Sequence, residues 1–113
     1  MKSEAKLKQN LHASCAAEPI LKFFAQEWTS HIVAALSRGG TLRFGQLRRA
    51  LPGAPSAKVL SARLKALEAG GYVARREIEG RVRLVEYSLT DAGRAADLVL
   101  AGTEALAPPR TSP

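Results

Sequence analysis

The chain has 113 residues, a formal charge of +7 and a pI near 10.2, with 46% hydrophobic and 24% charged residues. That is one domain of ordinary globular composition, small enough that dimerisation would help it bury surface. One cysteine, Cys15, excludes an intrachain disulfide, no apolar run reaches the ~18 residues of a spanning helix, and MKSEAKLKQNLHASCAAEP lacks a signal-peptide core, so a cytoplasmic protein is expected.

Residues 1–14 are polar with sparse apolar positions and are expected as a flexible or partner-packed extension. A first helix is predicted over about 16–26, with Pro19 in its first turn, where a missing N–H costs little. A second runs from about Trp28 to Ser37: Trp28, Ile32, Ala35 and Leu36 share one face, and Gly39-Gly40 ends it. TLRF (41–44) reads as a short extended piece, GQLRRAL (45–51) as a short helix and PGAP (52–55) as a turn. Ser56 then caps a fourth helix, SAKVLSARLKALEA, with Leu60, Leu64 and Leu67 towards the core. Lys58, Ser61, Ala62 and Lys65 fall opposite them.

YVARREIEGRVRLVEYSL (72–89) is predicted as two strands around a turn at Glu79-Gly80. Thr90 caps a fifth helix, DAGRAADLVLAGTEAL, whose apolar positions nearly ring it, so it needs two packing partners. Residues 107–113 are expected to be disordered. The fold class is mainly α with a small β-hairpin (α+β). A short helix, a tight turn, a longer helix and a following basic hairpin make a winged helix-turn-helix over 15–106.

The charge distribution points the same way. From Arg38 to Arg83 there are eleven Lys/Arg against three acids, a net of +8, so this segment holds the whole excess. A polyanion is the expected partner.

Four motifs in this order resemble the HxlR-type, MarR-like winged helix-turn-helix regulators: Cys15 thirteen residues before Trp28, RFGQLRRALPG (43–53), SAKVLSARLKALEAGGYV (56–73) and VEYSLTDAG (85–93). The resemblance covers roughly residues 15–100. It implies a homodimeric, sequence-specific, double-stranded-DNA-binding transcription factor. In such a protein the fourth helix enters the major groove, the hairpin meets the minor groove or backbone, and the N- and C-terminal helices dimerise. It further implies a response to oxidants or small electrophiles, in some members through the N-terminal cysteine. Three features depart from the pattern: Ala16 follows Cys15 where proline is usual, the GAPSAK turn is a residue longer, and EIEGRVRL has no proline.

The candidate DNA-binding residues are Ser56, Lys58, Ser61, Arg63 and Lys65 on the fourth helix, Arg81 and Arg83 on the wing, and Arg43 and Arg48 around the third helix. Strand alternation is expected to put Arg81 and Arg83 on the face of Val85, Tyr87 and Leu89. Arg75 and Arg76 lie nearer the domain, where glutamates could pair with them. Without the surrounding motifs, the helix residues read equally as a solvated polar face, and the wing arginines are set against an edge hairpin kept soluble by charge, with Arg–Glu pairs across its strands. Cys15 at a helix N-terminus is the candidate sensor, set against a small apolar interface residue. Phe23, Phe24 and Trp28 are candidates for a ligand pocket, set against plain core.

His12 and His31 are too few and too scattered for a zinc site. No phosphate loop, carboxylate pair or nucleophile–base set is recognisable, so neither enzyme activity, a cofactor, nor a membrane partner is expected. Two other functions fit the charge: a non-specific architectural or RNA-binding winged helix, and a protein-interaction module with a basic docking face.

Overall fold

A computed structural model describes residues 18–103. The order is α1 (Glu18–Ala25), α2 (Thr29–Gly39), β1 (Thr41–Arg43), α3 (Phe44–Ala50), α4 (Ala57–Ala69), β2 (Val73–Ile78), β3 (Leu84–Leu89) and α5 (Asp91–Gly102). The predicted ends of the first and fifth helices, residues 16–17 and 104–106, lie outside the described residues, as do the N-terminal extension and the tail.

Apolar spacing builds the centre. Ile32, Val33 and Leu36 of α2 meet Leu47 of α3 and Leu60, Leu64 and Leu67 of α4, all essentially inaccessible to water. The three leucines recur every 3–4 residues, which turns one stripe of α4 inward. Phe24 joins this core, while the other aromatic side chains are only partly buried against it.

Several boundaries have local causes. Trp28 precedes α2 with φ 72°, a left-handed conformation that costs a residue with a side chain about 1 kcal/mol. It turns the chain sharply between α1 and α2, so that α2 begins at the buried Thr29. Gly40, at φ 76°, ends α2 as its sequence predicts. The third helix begins one residue earlier than expected, at Phe44, and Leu51 leaves it as a buried extended residue.

Two features of the sheet differ from the sequence reading. TLR (41–43), extended as expected, pairs antiparallel with β3 and so adds a third strand to the predicted hairpin, in the order β1-β3-β2. The hairpin connection is also longer than a two-residue Glu79-Gly80 turn. Ile78 pairs with Leu84, so residues 79–83 form a five-residue loop. Arg81 and Arg83 stand in that loop, and the alternation that was to place them with Val85, Tyr87 and Leu89 does not reach them. Pairing register is set by both strands together, and here the match of Val73 to Leu89 and Arg75 to Tyr87 overrides the turn signal.

One small clasp joins the end of α4, the start of the wing and the start of α5. The Thr90 N–H donates to the Tyr72 carbonyl at 3.1 Å, and the Thr90 hydroxyl donates to the Gly71 carbonyl. The same hydroxyl oxygen accepts from the Gly93 N–H at 3.1 Å, capping α5. Gly93 faces the Tyr72 carbonyl so closely that a Cβ there would run into its oxygen. This is the physical content of the segment SLTDAG.

Outside the core, α1 and α5 leave large apolar groups in water: Ile20 and Leu21, then Leu98 (75% exposed) and Val99 (66%). No described helix is long and apolar enough to cross a membrane.

Replacing Gly93 by alanine should destabilise the domain by about 3 kcal/mol, because the added methyl group meets backbone that cannot move aside. Urea unfolding of Gly93→Ala against wild type measures it; an unchanged midpoint would contradict this packing.

Candidate nucleic-acid interface

The turn between α3 and α4 is held from both ends. Gly53 (φ 75°) and Ala54 (φ 41°) reverse the chain, and Pro55 is buried. The Arg48 Nε–H donates to the Pro55 carbonyl at 2.6 Å, tying α3 to the residue before the next cap. The Ser56 hydroxyl then accepts from the Val59 N–H at 3.1 Å, as expected of an N-cap. Arg48 therefore has a structural role in the turn, and only its terminal nitrogens are left for another partner.

Beyond the cap, the polar side of α4 faces solvent. Lys58, Ala62 and Lys65 are exposed and Ser61 is half-buried. Arg63 points elsewhere. It is half-buried, its Nη1 hydrogen-bonds the Gln26 side-chain oxygen beyond α1, and its buried Nε has no partner. That direction leads away from the Lys58–Lys65 face and towards the α1–α2 elbow. Trp28 sits at the same elbow, beside Gly53 of the turn.

On the wing, β2 and β3 carry two different faces. Residues opposite one another in the register share a face. Val73, Arg75 and Glu77 thus stand with Leu89, Tyr87 and Val85, on the side turned to α4. Arg76, Glu86 and Arg43 line up across the three strands on the other side. Arg43 is therefore placed away from the α4 cleft, at the start of α3, where its N–H donates to the Gln46 side chain at 2.9 Å.

Between α4 and the wing lies a cleft of about 350 Å³, lined by Ser61, Lys65, Glu68, Arg75 and Tyr87 with Leu64 at its floor. Glu77 stands at its outer end. Its Oε1 accepts from Arg75 Nη1 and its Oε2 from Arg83 Nη2, both at 2.9 Å. Arg83 and Arg75 together hold the Glu77 carboxyl below its ordinary value, Arg83 contributing the larger part. Glu77, and to a lesser degree Tyr87, raises the Arg75 guanidinium above its own. Arg76 and Arg81 are exposed and make no ion pair among the described residues.

The structure thus brings Lys65 and Ser61 together with the wing, puts Lys58 on the same exposed helix face, and turns Arg63 aside. Arg75 and Tyr87 line the cleft although the sequence reading did not choose them. The period-two spacing of Arg75 and Glu77 was the available signal, and it needed the register to become specific.

Phe23 and Phe24 pack around Tyr72, at ring-centroid distances of 5.8 and 4.9 Å. Trp28 instead meets His31 at 5.7 Å. Phe24 lines a hollow of about 590 Å³ between α1, α2 and α5, whereas Trp28 lines a separate one of about 390 Å³, so the three aromatics do not form one pocket wall. Cys15 and His12 lie outside the described residues. Among those described, no three metal-ligating side chains converge.

Comparison with known proteins agrees with this geometry. Residues 23–107 match the family model described as HxlR-like helix-turn-helix. The chain is 38% identical over 78 residues to the HTH-type transcriptional regulator YdzF of Bacillus subtilis, covering 69% of this chain and 71% of that protein. It superposes on a MarR-family transcriptional regulator from Enterococcus faecalis V583 with a TM-score of 0.75 and 30% identity, over 82% of this chain and 83% of that one. The reduced form of the redox regulator HypR gives a TM-score of 0.71 at 28% identity, over 79% of this chain and 86% of that one.

Because Glu77 has a lowered folded value, its pairing stabilises the wing fully above the ordinary carboxylate range and loses that contribution as pH falls through the lowered value. Side-chain carboxyl NMR should show the Glu77 midpoint below that of an isolated glutamate, moving upwards in Arg83→Ala. A midpoint unaffected by that substitution would contradict the pairing.

Proposed function

The chain belongs to the HxlR-like helix-turn-helix family of transcriptional regulators, a non-enzymatic DNA-binding family, and from that premise we propose that it is a homodimeric, sequence-specific binder of double-stranded DNA. α4 lies in the major groove, whose ~12 Å width accepts a helix. Lys58, Lys65, Ser61 and the Ser56 cap meet bases and phosphates, and Arg81 with Arg83 reach the adjacent minor groove or backbone. The observation that carries this reading is the exposure of Lys58 and Lys65 on α4, with Lys65 lining the cleft that α4 forms with the wing, together with the exposed Arg81 and Arg83 of the 79–83 loop.

Dimerisation is supported by the apolar residues that α1 and α5 leave in water, Ile20, Leu21, Leu98 and Val99. A symmetric pair would set two α4 helices in successive major grooves, about 34 Å apart along a near-palindromic operator. Oxidant or electrophile sensing through Cys15 is supported by the likeness to HypR, itself described as a redox regulator.

Selection of bound sites from a random duplex pool, with and without oxidant, tests the whole reading. It should return an inverted repeat, and oxidant should change its occupancy in wild type but not in Cys15→Ser. Lys65→Ala and Lys58→Ala should each weaken binding and lower the slope of log affinity against log salt by about one. Equal affinity for selected and random duplexes would instead indicate an architectural binder. No duplex binding at low salt would indicate a protein-docking surface.

A further inference from the structure

The wing's cations are not all available to DNA in the unbound protein. Glu77 gives one carboxylate oxygen to Arg75 and the other to Arg83, each at 2.9 Å. Two guanidiniums converging on separate oxygens of one anion is how a backbone phosphate is held. Arg75 also opens into the cleft with Lys65, Ser61 and Glu68 of α4, so a phosphate at this point would have donors from α4 as well as from the wing and would lie beside one carboxylate.

We propose that the Glu77 carboxylate is a built-in competitor for a DNA backbone phosphate. It holds Arg75 and Arg83 in the free protein and gives them up when the duplex enters the cleft between α4 and the wing. This deepens the DNA-binding reading above and rests on it.

The energetic scale permits the exchange. The Arg83 side chain is 76% exposed and those of Glu77 and Arg75 are over one-third exposed, so both pairs are surface pairs, weak and screened by salt. A duplex brings a dense row of phosphates and releases condensed counterions when a cation joins it, a gain that an isolated carboxylate does not offer. Until then the pairing hides charge. Of the four wing arginines, only Arg76 and Arg81 are without an acidic partner among the described residues. Arg76 lies on the sheet face away from the cleft, leaving Arg81 as the one unengaged guanidinium at the tip. Non-specific attraction is thereby reduced, while a duplex docked in register recovers Arg75 and Arg83 as well.

The test separates release of two arginines from a simple change in net charge. Glu79 is a second exposed carboxylate on the same hairpin and makes no ion pair among the described residues. Glu77→Gln and Glu79→Gln remove the same charge. Affinity for a random-sequence duplex, measured by fluorescence anisotropy across a salt series, should rise roughly three- to ten-fold for Glu77→Gln, the scale of two released surface pairs. Its salt slope should steepen by about two, since each phosphate contact contributes about 0.9. Glu79→Gln should give a smaller rise with no step in slope, and the Glu77→Gln gain should shrink in an Arg83→Ala background. Equal effects of the two glutamine variants would reduce Glu77 to net charge and overturn the proposal. So would weaker binding by Glu77→Gln, which would make the carboxylate a strut that aims the arginines. Wild-type protein that binds no duplex at low salt would overturn the DNA-binding reading itself, a separate result.

Discussion

The backbone clasp at Gly71–Tyr72 and Thr90–Gly93 is the constraint on which the remaining arrangement depends. Four elements meet there within a few ångströms. The Tyr72 N–H closes the end of α4 on the Leu67 carbonyl at 2.9 Å, and its own carbonyl accepts from Thr90. The Tyr72 ring packs against Phe23 and Phe24 of α1. β2 begins at the next residue, and α5 begins immediately after Thr90. A glycine is required at 93 for close approach and is favoured at 71 by its φ of 83°. The placement of α4 beside the wing and α5 is therefore held by hydrogen bonds of Tyr72 and Thr90, and that of α1 by the packing of Phe23 and Phe24 on the Tyr72 ring.

Net charge describes this surface poorly until each cation has been followed to its partner. Among the described residues, five arginine side chains have hydrogen-bond partners inside the domain. Arg48 holds the helix-turn-helix turn, Arg63 reaches Gln26, Arg75 and Arg83 share Glu77, and Arg94 serves Asp91 and the Leu89 carbonyl. The lysines of α4 behave otherwise: Lys58 and Lys65 are exposed and form no ion pair among the described residues. This division follows from the chemistry of the two side chains. A planar guanidinium can bond a carbonyl or bridge two groups at fixed angles, whereas a strongly hydrated ammonium on a flexible stem stays in water. The arginine-rich segment thus supplies both the scaffold of the interface and part of its charge.

Much of the helical organisation could be read from local pattern. Leu60, Leu64 and Leu67 announced the buried stripe of α4, Ser56 its cap, and Thr90 the start of α5, because these depend on neighbours three or four residues away. What was not legible depends on distant partners. TLR (41–43) is extended as its sequence predicts, but its pairing with β3, more than forty residues on, is not local information. The five-residue wing loop follows from the pairing of Val73 with Leu89, which outweighs a glycine that looked like a turn. Helical phase already puts Arg63 towards the side of the polar face, but its partner Gln26, in a loop thirty-seven residues earlier, is not local information. The candidate site divides in the same way. Lys58, Ser61 and Lys65 could be chosen by helical phase, whereas Arg75 and Tyr87 become cleft residues only when the register and the α4–wing contact are known.

Apart from Val59 on α4 and Val82 in the wing loop, the large apolar side chains left exposed among the described residues stand on the two helices joined to the clasp. Leu21 and Ile20 stand on α1, the helix whose Phe23 and Phe24 grip Tyr72, and Leu98 and Val99 stand on α5, the helix capped by Thr90. An apolar hollow of about 310 Å³ runs between them, lined by Ile20, Leu21, Phe24, Val99 and Leu100, with Tyr72 itself at its wall. A partner covering this hollow would touch the residue that ends the recognition helix and begins the wing. Tyr72 is thus the residue at which α1, α5, α4 and the wing touch one another, and the hydrogen bond between Gln26 and Arg63 joins α4 to the α1–α2 elbow on its other side.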